Sequence, residues 1–401
     1  MNDWRHVPLS EVVTRVTTKN VGGINENVLT VSAAYGLIAQ GSFFTKKVAS
    51  KDTSGYYVVA PGQFVYNKST SKSAAYGTVA RNLSDEPGIV SPLYFVLEAN
   101  DGAALPEYLE LALNSDQFFG SLAGTLREGA RSHGLLNVRL KEFYAATVTL
   151  PPIPMQERIV QVIRAVDDQI NALDIESMAL EGILESLRSD VPQADHQPIG
   201  DVLLGIDSGK SVQAGIAASA EDEYRILKLS AVQRGWFKPS EAKVLTEGSA
   251  FSPSHMVKNG DLLITRANTP ERVGFVAVAK NVSEGTFMPD LIWRLRVDES
   301  RVSTGYLQHA LSSRELRTSI SGVSGGTSKS MVKINKRSFG AVRVPIPPLP
   351  DQGEYVRRCD AVGEGITATR AEGARLRQIR AGLLRGLLDR TIDIEPTKLE
   401  V

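Results

Sequence analysis

The chain has 401 residues, 45 basic and 45 acidic side chains, and 42% apolar content. Such a length suggests roughly two to four domains, the composition excludes a disordered or fibrous chain, and no window approaches the ~18 uninterrupted apolar residues of a membrane span. Cys359 is the single cysteine, so an internal disulfide is excluded, and the opening Met1-Asn2-Asp3-Trp4-Arg5-His6 lacks the apolar core of a signal peptide; a cytoplasmic protein is expected.

In chain order, short strands are predicted at Val28-Leu29-Thr30-Val31, Phe64-Val65-Tyr66 and Tyr94-Phe95-Val96-Leu97, and a helix over Glu107 to Leu122. A long helix follows Pro151-Pro152-Ile153-Pro154. Further strands are predicted at Leu262-Leu263-Ile264 and Ile292-Trp293-Arg294-Leu295, a helix over Gly305 to Ile320, and a second long helix after Pro347-Pro348-Leu349-Pro350. Charge follows these divisions. Residues 1–150 carry 13 basic and 13 acidic side chains, 151–195 carry 3 and 9, 196–346 carry 20 and 14, and 347–401 carry 9 and 9. The zero net charge therefore hides an acidic segment beside a basic one, which permits a nucleic-acid-binding surface.

The chain repeats itself at a spacing of about 196 residues. Besides the two proline clusters, Gln156 falls on Gln352, Gly62-Gln63-Phe64-Val65-Tyr66 on Gly260-Asp261-Leu262-Leu263-Ile264, and Tyr108-Leu109 on Tyr306-Leu307. Lys141-Glu142-Phe143 falls on Arg337-Ser338-Phe339, and Pro8-Leu9-Ser10-Glu11-Val12 on Pro198-Ile199-Gly200-Asp201-Val202. The period is too long for a solenoid of ~20–50-residue units. It describes two copies of a mixed α and β unit, each followed by its own helix. In the first helix Ile159, Ile163, Val166, Ile170, Leu173, Ser177, Leu180, Leu184 and Leu187 recur in steps of four and three, a heptad seam. The second carries Tyr355, Cys359, Val362, Ile366, Thr369, Gly373, Leu376, Arg380, Leu383 and Leu387 in the same register. Each helix is expected to run about 35 residues, or roughly 50 Å, and the two seams to pack on each other.

No catalytic constellation emerges. Gly205-Ile206-Asp207-Ser208-Gly209-Lys210-Ser211 approaches a phosphate-binding loop, but Leu204 stands where the first glycine is required. Gly322-Val323-Ser324-Gly325-Gly326 fits the G-x-S-x-G pattern, yet a helix precedes it and a strand follows, the reverse of a nucleophile elbow. The five histidines, His6, His133, His196, His255 and His309, lack metal-ligand spacing.

Two mixed units, each followed by a proline-initiated long helix, resemble the specificity (S, HsdS) subunit of Type I restriction-modification systems. LTVSAAYGLIAQGSFFTKKVASKDTSGYYVVAPGQFVYNKST (29–70) resembles one form of that family's target recognition domain, and GIDSGKSVQ (205–213) with NGDLLITRANT (259–269) another. VTLPPIPMQERI (148–159) and VRVPIPPLPDQGEYV (342–356) are similar to its domain-to-helix transitions. The resemblance covers nearly the whole chain. It implies an α+β fold: two similar target recognition domains separated and joined by two long antiparallel coiled-coil helices, a pseudo-twofold internal repeat. The expected domains are 1–150 (first recognition domain), 151–195 (central long helix), 196–346 (second recognition domain) and 347–401 (C-terminal long helix and tail). It further implies a non-catalytic subunit in which each recognition domain reads one half of an asymmetric bipartite DNA target. The helices would set the spacer and dock two methyltransferase subunits, with restriction subunits in the full complex. No cofactor or metal is expected on this chain; S-adenosylmethionine, ATP and Mg are expected on the partners.

Candidate DNA contacts combine cations for phosphates with polar side chains for base edges. In the first unit these are Lys46, Lys47, Lys68, Ser69, Ser71, Lys72, Ser73 and Tyr76, with Arg127, Arg131, Ser132 and His133 in a second polar loop. In the second unit Arg266, Asn268, Thr269 and Arg272 match Lys68 and its neighbours. Thr327, Ser328, Lys329 and Ser330 match Arg131 to Gly134, with Lys333 and Lys336 just beyond. The acidic outer face of the first helix (Asp167, Asp168, Asp174, Glu176, Glu181) is either a solvated face or a dock for basic partners. The competing readings are a freestanding bipartite DNA-binding protein, a specificity module of a related methylation or phage-defence system, and a hydrolase using Ser324.

Overall fold

The computed structural model describes residues 4–32, 35–43, 50, 52–69, 75–125, 131–132, 135–136, 138–210, 224–244, 252–328 and 331–394. The chain divides into two compact units, Met1–Ala172 with Glu372–Val401, and Leu173–Ala371.

In unit 1 the first and last strands pair antiparallel: β1 (Arg5–Pro8) runs against β6 (Thr147–Leu150), so the unit opens and closes at one place. Between them lies an antiparallel sheet of β2 (Val13–Val16), β5 (Phe95–Ala99), β3 (Phe64–Asn67) and β4 (Thr78–Arg81), in that spatial order. The central Phe64-Val65-Tyr66 is wholly buried. An unbroken apolar run, without the alternation of a half-exposed strand, is what a strand covered on both faces requires. Smaller pairs, Leu29–Ser32 with Gly36–Ala39 and Tyr57–Val59 with Gly88–Val90, lie beside the sheet. On its other side are α1 (Pro106–Leu113), α2 (Asp116–Thr125) and α3 (Leu140–Ala145). Phe143 of α3 stacks on Tyr66 at 4.4 Å and meets Phe95 edge-on at 5.7 Å, tying helix to sheet.

Unit 2 repeats this plan. β7 (His196–Pro198) pairs with β12 (Arg343–Pro345), and the main sheet orders β8 (Leu203–Ser208), β11 (Ile292–Val297), β9 (Leu262–Thr265) and β10 (Val276–Val278). The register repeats too: Phe64 faces Leu97 and Tyr66 faces Phe95 as Leu262 faces Leu295 and Ile264 faces Trp293. α5 (Thr304–Ser312), α6 (Arg314–Gly322) and α7 (Lys336–Gly340) complete the unit. Tyr108 and Tyr306 occupy matching places, each hydroxyl donating to a carbonyl of the closing strand, Thr149 at 2.7 Å and Pro345 at 2.6 Å.

The two helices expected to be continuous, Glu107 to Leu122 and Gly305 to Ile320, are each broken in two. Ser115 Oγ accepts from Phe118 N at 3.2 Å, and Ser313 Oγ accepts from Leu316 N at 3.3 Å with Ser313 itself extended. Each serine ends one helix and caps the next.

The long helices are α4 (Ile153–Ser189) and α8 (Leu349–Leu388), of 37 and 40 residues. All the seam positions from Ile159 to Leu187 and from Tyr355 to Leu387 are buried or half-buried, whereas Ile175 and Met178, off the seam, are 69% and 71% exposed. Within unit 1, Ile159 and Ile163 of α4 share a core with Leu384, Leu387 and Leu388 of α8. Arg380, a charged residue in the seam, is held by both carboxylate oxygens of Asp167. Within unit 2, Leu184 shares a core with Tyr355, Cys359 and Ile366. There Glu181 pairs with Arg370 and Asp190 with Arg358, so numbers fall along α8 as they rise along α4. These pairs also alter the view of the acidic face: Asp167 and Glu181 are engaged by α8, while Asp168 and Glu176 are exposed. Among the described residues no helix is long and apolar enough to cross a membrane.

Candidate nucleic-acid interface

One end of each main sheet gathers cationic and polar side chains. In unit 1 it is the end where β2 and β3 finish and β5 begins. Lys68 leaves β3 and sets its ammonium 4.7 Å from the centre of the Phe95 ring. The turn is fixed locally: Asn67 Oδ1 accepts from Ser69 N at 2.9 Å, and Tyr66 hydroxyl donates to the Tyr76 carbonyl at 2.7 Å. Tyr76 stacks on Phe119 at 6.0 Å. Gly77 returns the chain to β4 with φ +84°, and a Cβ there would meet the Asn67 carbonyl oxygen at 2.2 Å, so only glycine fits. Of the other candidates, Lys46, Lys47, Ser71, Lys72, Ser73, Arg127 and His133 lie outside the described residues. Arg131 and Ser132 are described in backbone only, paired antiparallel with Leu136 and Leu135.

Unit 2 presents the same end more completely. Arg266 leaves β9 as Lys68 leaves β3, and its guanidinium sits 5.6 Å from the centre of the Trp293 ring, the counterpart of Phe95. The following Ala267–Asn268 pairs with Met331–Lys333, which also pairs with Gly325–Ser328. This three-stranded ribbon brings Arg266, Asn268 and Lys333 together with the backbone of Thr327 and Ser328. Thr269 follows directly, its amide donating to Asn268 Oδ1 at 2.9 Å. Arg272 lies further round the turn and is exposed. Gly274, with φ +72°, ends this loop as Gly77 ends the first. Lys336 stands apart: it opens α7, and its ammonium donates to the Ile206 carbonyl. Lys329 and Ser330 lie outside the described residues.

The charge at these ends differs in kind from the charge elsewhere. Arg81 pairs with Glu107 and Glu110, Arg294 with Asp207 and Asp261, and Arg234 with Glu185. Arg317, buried beneath Phe275 at 4.7 Å, donates to the Val273 and Glu271 carbonyls, and burial, with Arg234 nearby, pushes its pKa down to about 10. Those arginines are structural. Lys68 and Arg266 form no ion pair with a described residue, and Arg266 Nε and Trp293 Nε1 are buried without a hydrogen-bond partner among them. Burial, then the neighbouring Arg15, holds the Lys68 ammonium below the usual lysine range. Arg15 is not among the residues that the sequence pattern singles out. The signal for it is a basic residue between valines in the strand Val13-Thr14-Arg15-Val16.

Neither near-miss motif forms the site it resembles. Gly205 to Ser208, the first part of the phosphate-loop look-alike, lies inside β8, and Ser211 at its end lies outside the described residues. Ser324 lies between α6 and the strand Gly325–Ser328, and its hydroxyl donates to the Ser321 carbonyl at 2.6 Å. No group of three or more His, Cys, Asp or Glu side chains able to hold a metal occurs among the described residues.

Fold and site together define a duplicated chain: one α+β unit with a cation-bearing sheet end and one long helix, present twice. No protein-family model matches it. It is similar to the Type I restriction enzyme EcoEI specificity subunit of Escherichia coli, 25% identical over 155 residues, 38% of this chain and 26% of that protein. It is also similar to the HindI specificity subunit of Haemophilus influenzae, 23% identical over 269 residues, 64% of this chain and 55% of that protein. The chain thus spans about a quarter and about half of the lengths of these curated relatives. The fold matches a chain from a structure on complex assembly and conformational transition of the type I R-M system, with TM-score 0.53, 20% identity and 96% and 97% of the two chains covered. It also matches the Type I restriction-modification S subunit from M. genitalium, with TM-score 0.51, 11% identity and 98% and 97% covered. In sequence the chain is thus similar to Type I restriction enzyme specificity subunits, and in fold to solved type I restriction-modification chains.

Proposed function

We propose that this chain selects the DNA target of a Type I restriction-modification complex and performs no chemistry of its own. The observation that carries the reading is the repeat itself: two units with the same sheet order and register, each presenting a cation over an aromatic ring at the same sheet end. A split DNA target calls for two like readers with different contact sets, and Lys68, Ser69 and Tyr76 differ chemically from Arg266, Asn268 and Thr269. Cations position the backbone, while arginine and asparagine have the fork geometry that discriminates guanine and adenine edges. In this reading 1–150 and 196–346 are the recognition domains. Segments 151–195 and 347–401 form an antiparallel coiled coil that sets the spacer and docks two methyltransferase subunits. Those subunits bind S-adenosylmethionine, and restriction subunits bring ATP and Mg.

The test is adenine-methylation sequencing of DNA from cells expressing the chain with its neighbouring methyltransferase subunit, against a deletion of the chain. An asymmetric two-part methylated motif that vanishes in the deletion supports the reading. With an active methyltransferase, a motif set unchanged by the deletion overturns it in favour of a freestanding DNA-binding protein.

A further inference from the structure

Two cations share one ring at the end of the unit 1 sheet. The Arg15 guanidinium lies 5.2 Å from the centre of the Phe95 ring and 5.8 Å from that of Tyr57, and Lys68 Nζ lies 4.7 Å from the centre of Phe95. Phe95 is buried and both cations are half-buried. Neither forms an ion pair with a described residue, and Arg15 Nε is buried without a partner among them. Like charges held together with reduced hydration repel. A ring face offsets only part of that cost. The fold neutralises arginines elsewhere, as the Glu107 and Glu110 partners of Arg81 illustrate, so this pair stands out as lacking an anion.

The second unit supplies a comparison. Arg15 lies opposite Leu97, and the residue opposite the equivalent Leu295 is Ile206. Unit 2 therefore keeps the cation leaving the central strand, Arg266 on Trp293, and replaces the second cation with an apolar side chain. Against the aromatic ring itself, unit 1 sets two cations and unit 2 sets one.

We propose that Arg15 and Lys68, packed against Phe95, together seat a single backbone phosphate of the DNA bound by unit 1, with Arg266 as the single-cation counterpart in unit 2. The inference rests on the DNA-reading function proposed above. A guanidinium offers a planar pair of donors to two phosphate oxygens and the ammonium adds a point charge, a combination suited to a phosphodiester. The seat is indifferent to sequence, so it fixes where the duplex lies and leaves base reading to other contacts.

The experiment measures binding of the full chain, with its methyltransferase partner, to a mixed-sequence duplex over a salt series. Arg15→Gln and Lys68→Gln are each expected to reduce the slope of log affinity against log salt by about 0.9, one phosphate's worth. The double variant should lose no more than either single one, and Arg15→Lys should restore the slope. Wild-type slopes in both single variants, or a double variant that loses two phosphates' worth, overturn the shared seat. A lower thermal midpoint in Arg15→Gln with an unchanged slope assigns Arg15 a structural task and likewise overturns it. Absence of any duplex binding by the wild-type complex defeats the DNA-reading function itself and this seat with it, an outcome distinct from a failure confined to the variants.

Discussion

Gln156 and Gln352 perform one task in the two units. Each is almost fully buried in the first turn of its long helix and reaches back to backbone groups that precede it. Gln156 Oε1 accepts from Leu105 N at 2.8 Å while Nε2 donates to the Pro151 carbonyl at 2.8 Å. Gln352 does the same with Ser303 N and the Pro347 carbonyl, and adds the Arg301 carbonyl at 3.0 Å. Alanine at either position strands buried backbone groups at about 1–3 kcal/mol apiece. Gln352→Ala should therefore destabilise more than Gln156→Ala, each by several kcal/mol, as read from urea unfolding. The proline and glutamine match was visible in the sequence as a repeat, but its purpose was not. The partners of Gln156 and Gln352 include residues some fifty positions away, which no local pattern connects.

A second residue-scale effect concerns acid. His309 is buried on α5, with Nε2 2.8 Å from Asp360 Oδ1, and Arg188, Lys280, Tyr355 and Cys359 lie around the pair. Burial holds the His309 pKa below its usual value despite the aspartate, and the hydrogen bond from His309 holds Asp360 below the usual carboxylate range. Both shifts act in one direction. Below the ordinary histidine pKa near 6.5 the unfolded chain takes up a proton that the folded imidazole resists, so stability falls with falling pH. The contribution of Asp360 persists to lower pH and is lost below its ordinary pKa of 3.8. Urea midpoints should drop between pH 7 and 5, and His309→Gln should flatten that part of the profile; an unchanged slope in the variant would remove His309 as its cause.

At the scale of elements, the long helices followed their heptad pattern residue by residue, because burial of a stripe leaves a period in the sequence. Arg380 is a charged residue at a seam position, and in unit 1 it is answered by Asp167. The pair is about one-third exposed, which screens it, so Asp167→Ala should cost about 1–2 kcal/mol by leaving Arg380 unmatched in the seam. The double change Asp167→Ala with Arg380→Met should recover most of that loss in thermal unfolding. The strands were equally legible, since Phe64-Val65-Tyr66 and Leu262-Leu263-Ile264 are unbroken apolar runs. The helix breaks at Ser115 and Ser313 were not, because apolar residues continue past them in near-helical spacing. A serine before an acidic first turn (Asp116, and Glu315 after Ser313) was the signal available. The candidate interface was legible in kind but incomplete in membership. Composition flags exposed cations in loops, whereas Arg15 is a strand residue whose ring partner, Phe95, lies eighty residues away.

Across the whole molecule, zero net charge denies the chain long-range attraction to a polyanion. Any affinity for DNA must come from local clusters such as the two sheet ends, and should be steeply salt-dependent without being strong at a distance.

The division of the chain also gives the protein a calendar. Unit 2 is one continuous stretch, Leu173–Ala371, but unit 1 is made of the beginning and the end. Its core includes Ile159 and Ile163 from the early part and Leu384, Leu387 and Leu388 from the late part. At ribosomal rates of roughly 5–20 residues per second, the first-made portion of unit 1 waits on the order of ten to forty seconds for the residues that cover it. Throughout that interval its apolar face is open to chaperones, proteases and neighbouring nascent chains, while unit 2 can close as soon as it emerges. A chain interrupted before Leu384 therefore injures unit 1, whose earlier strands and helices are already made, by withholding Leu384, Leu387 and Leu388 from its core.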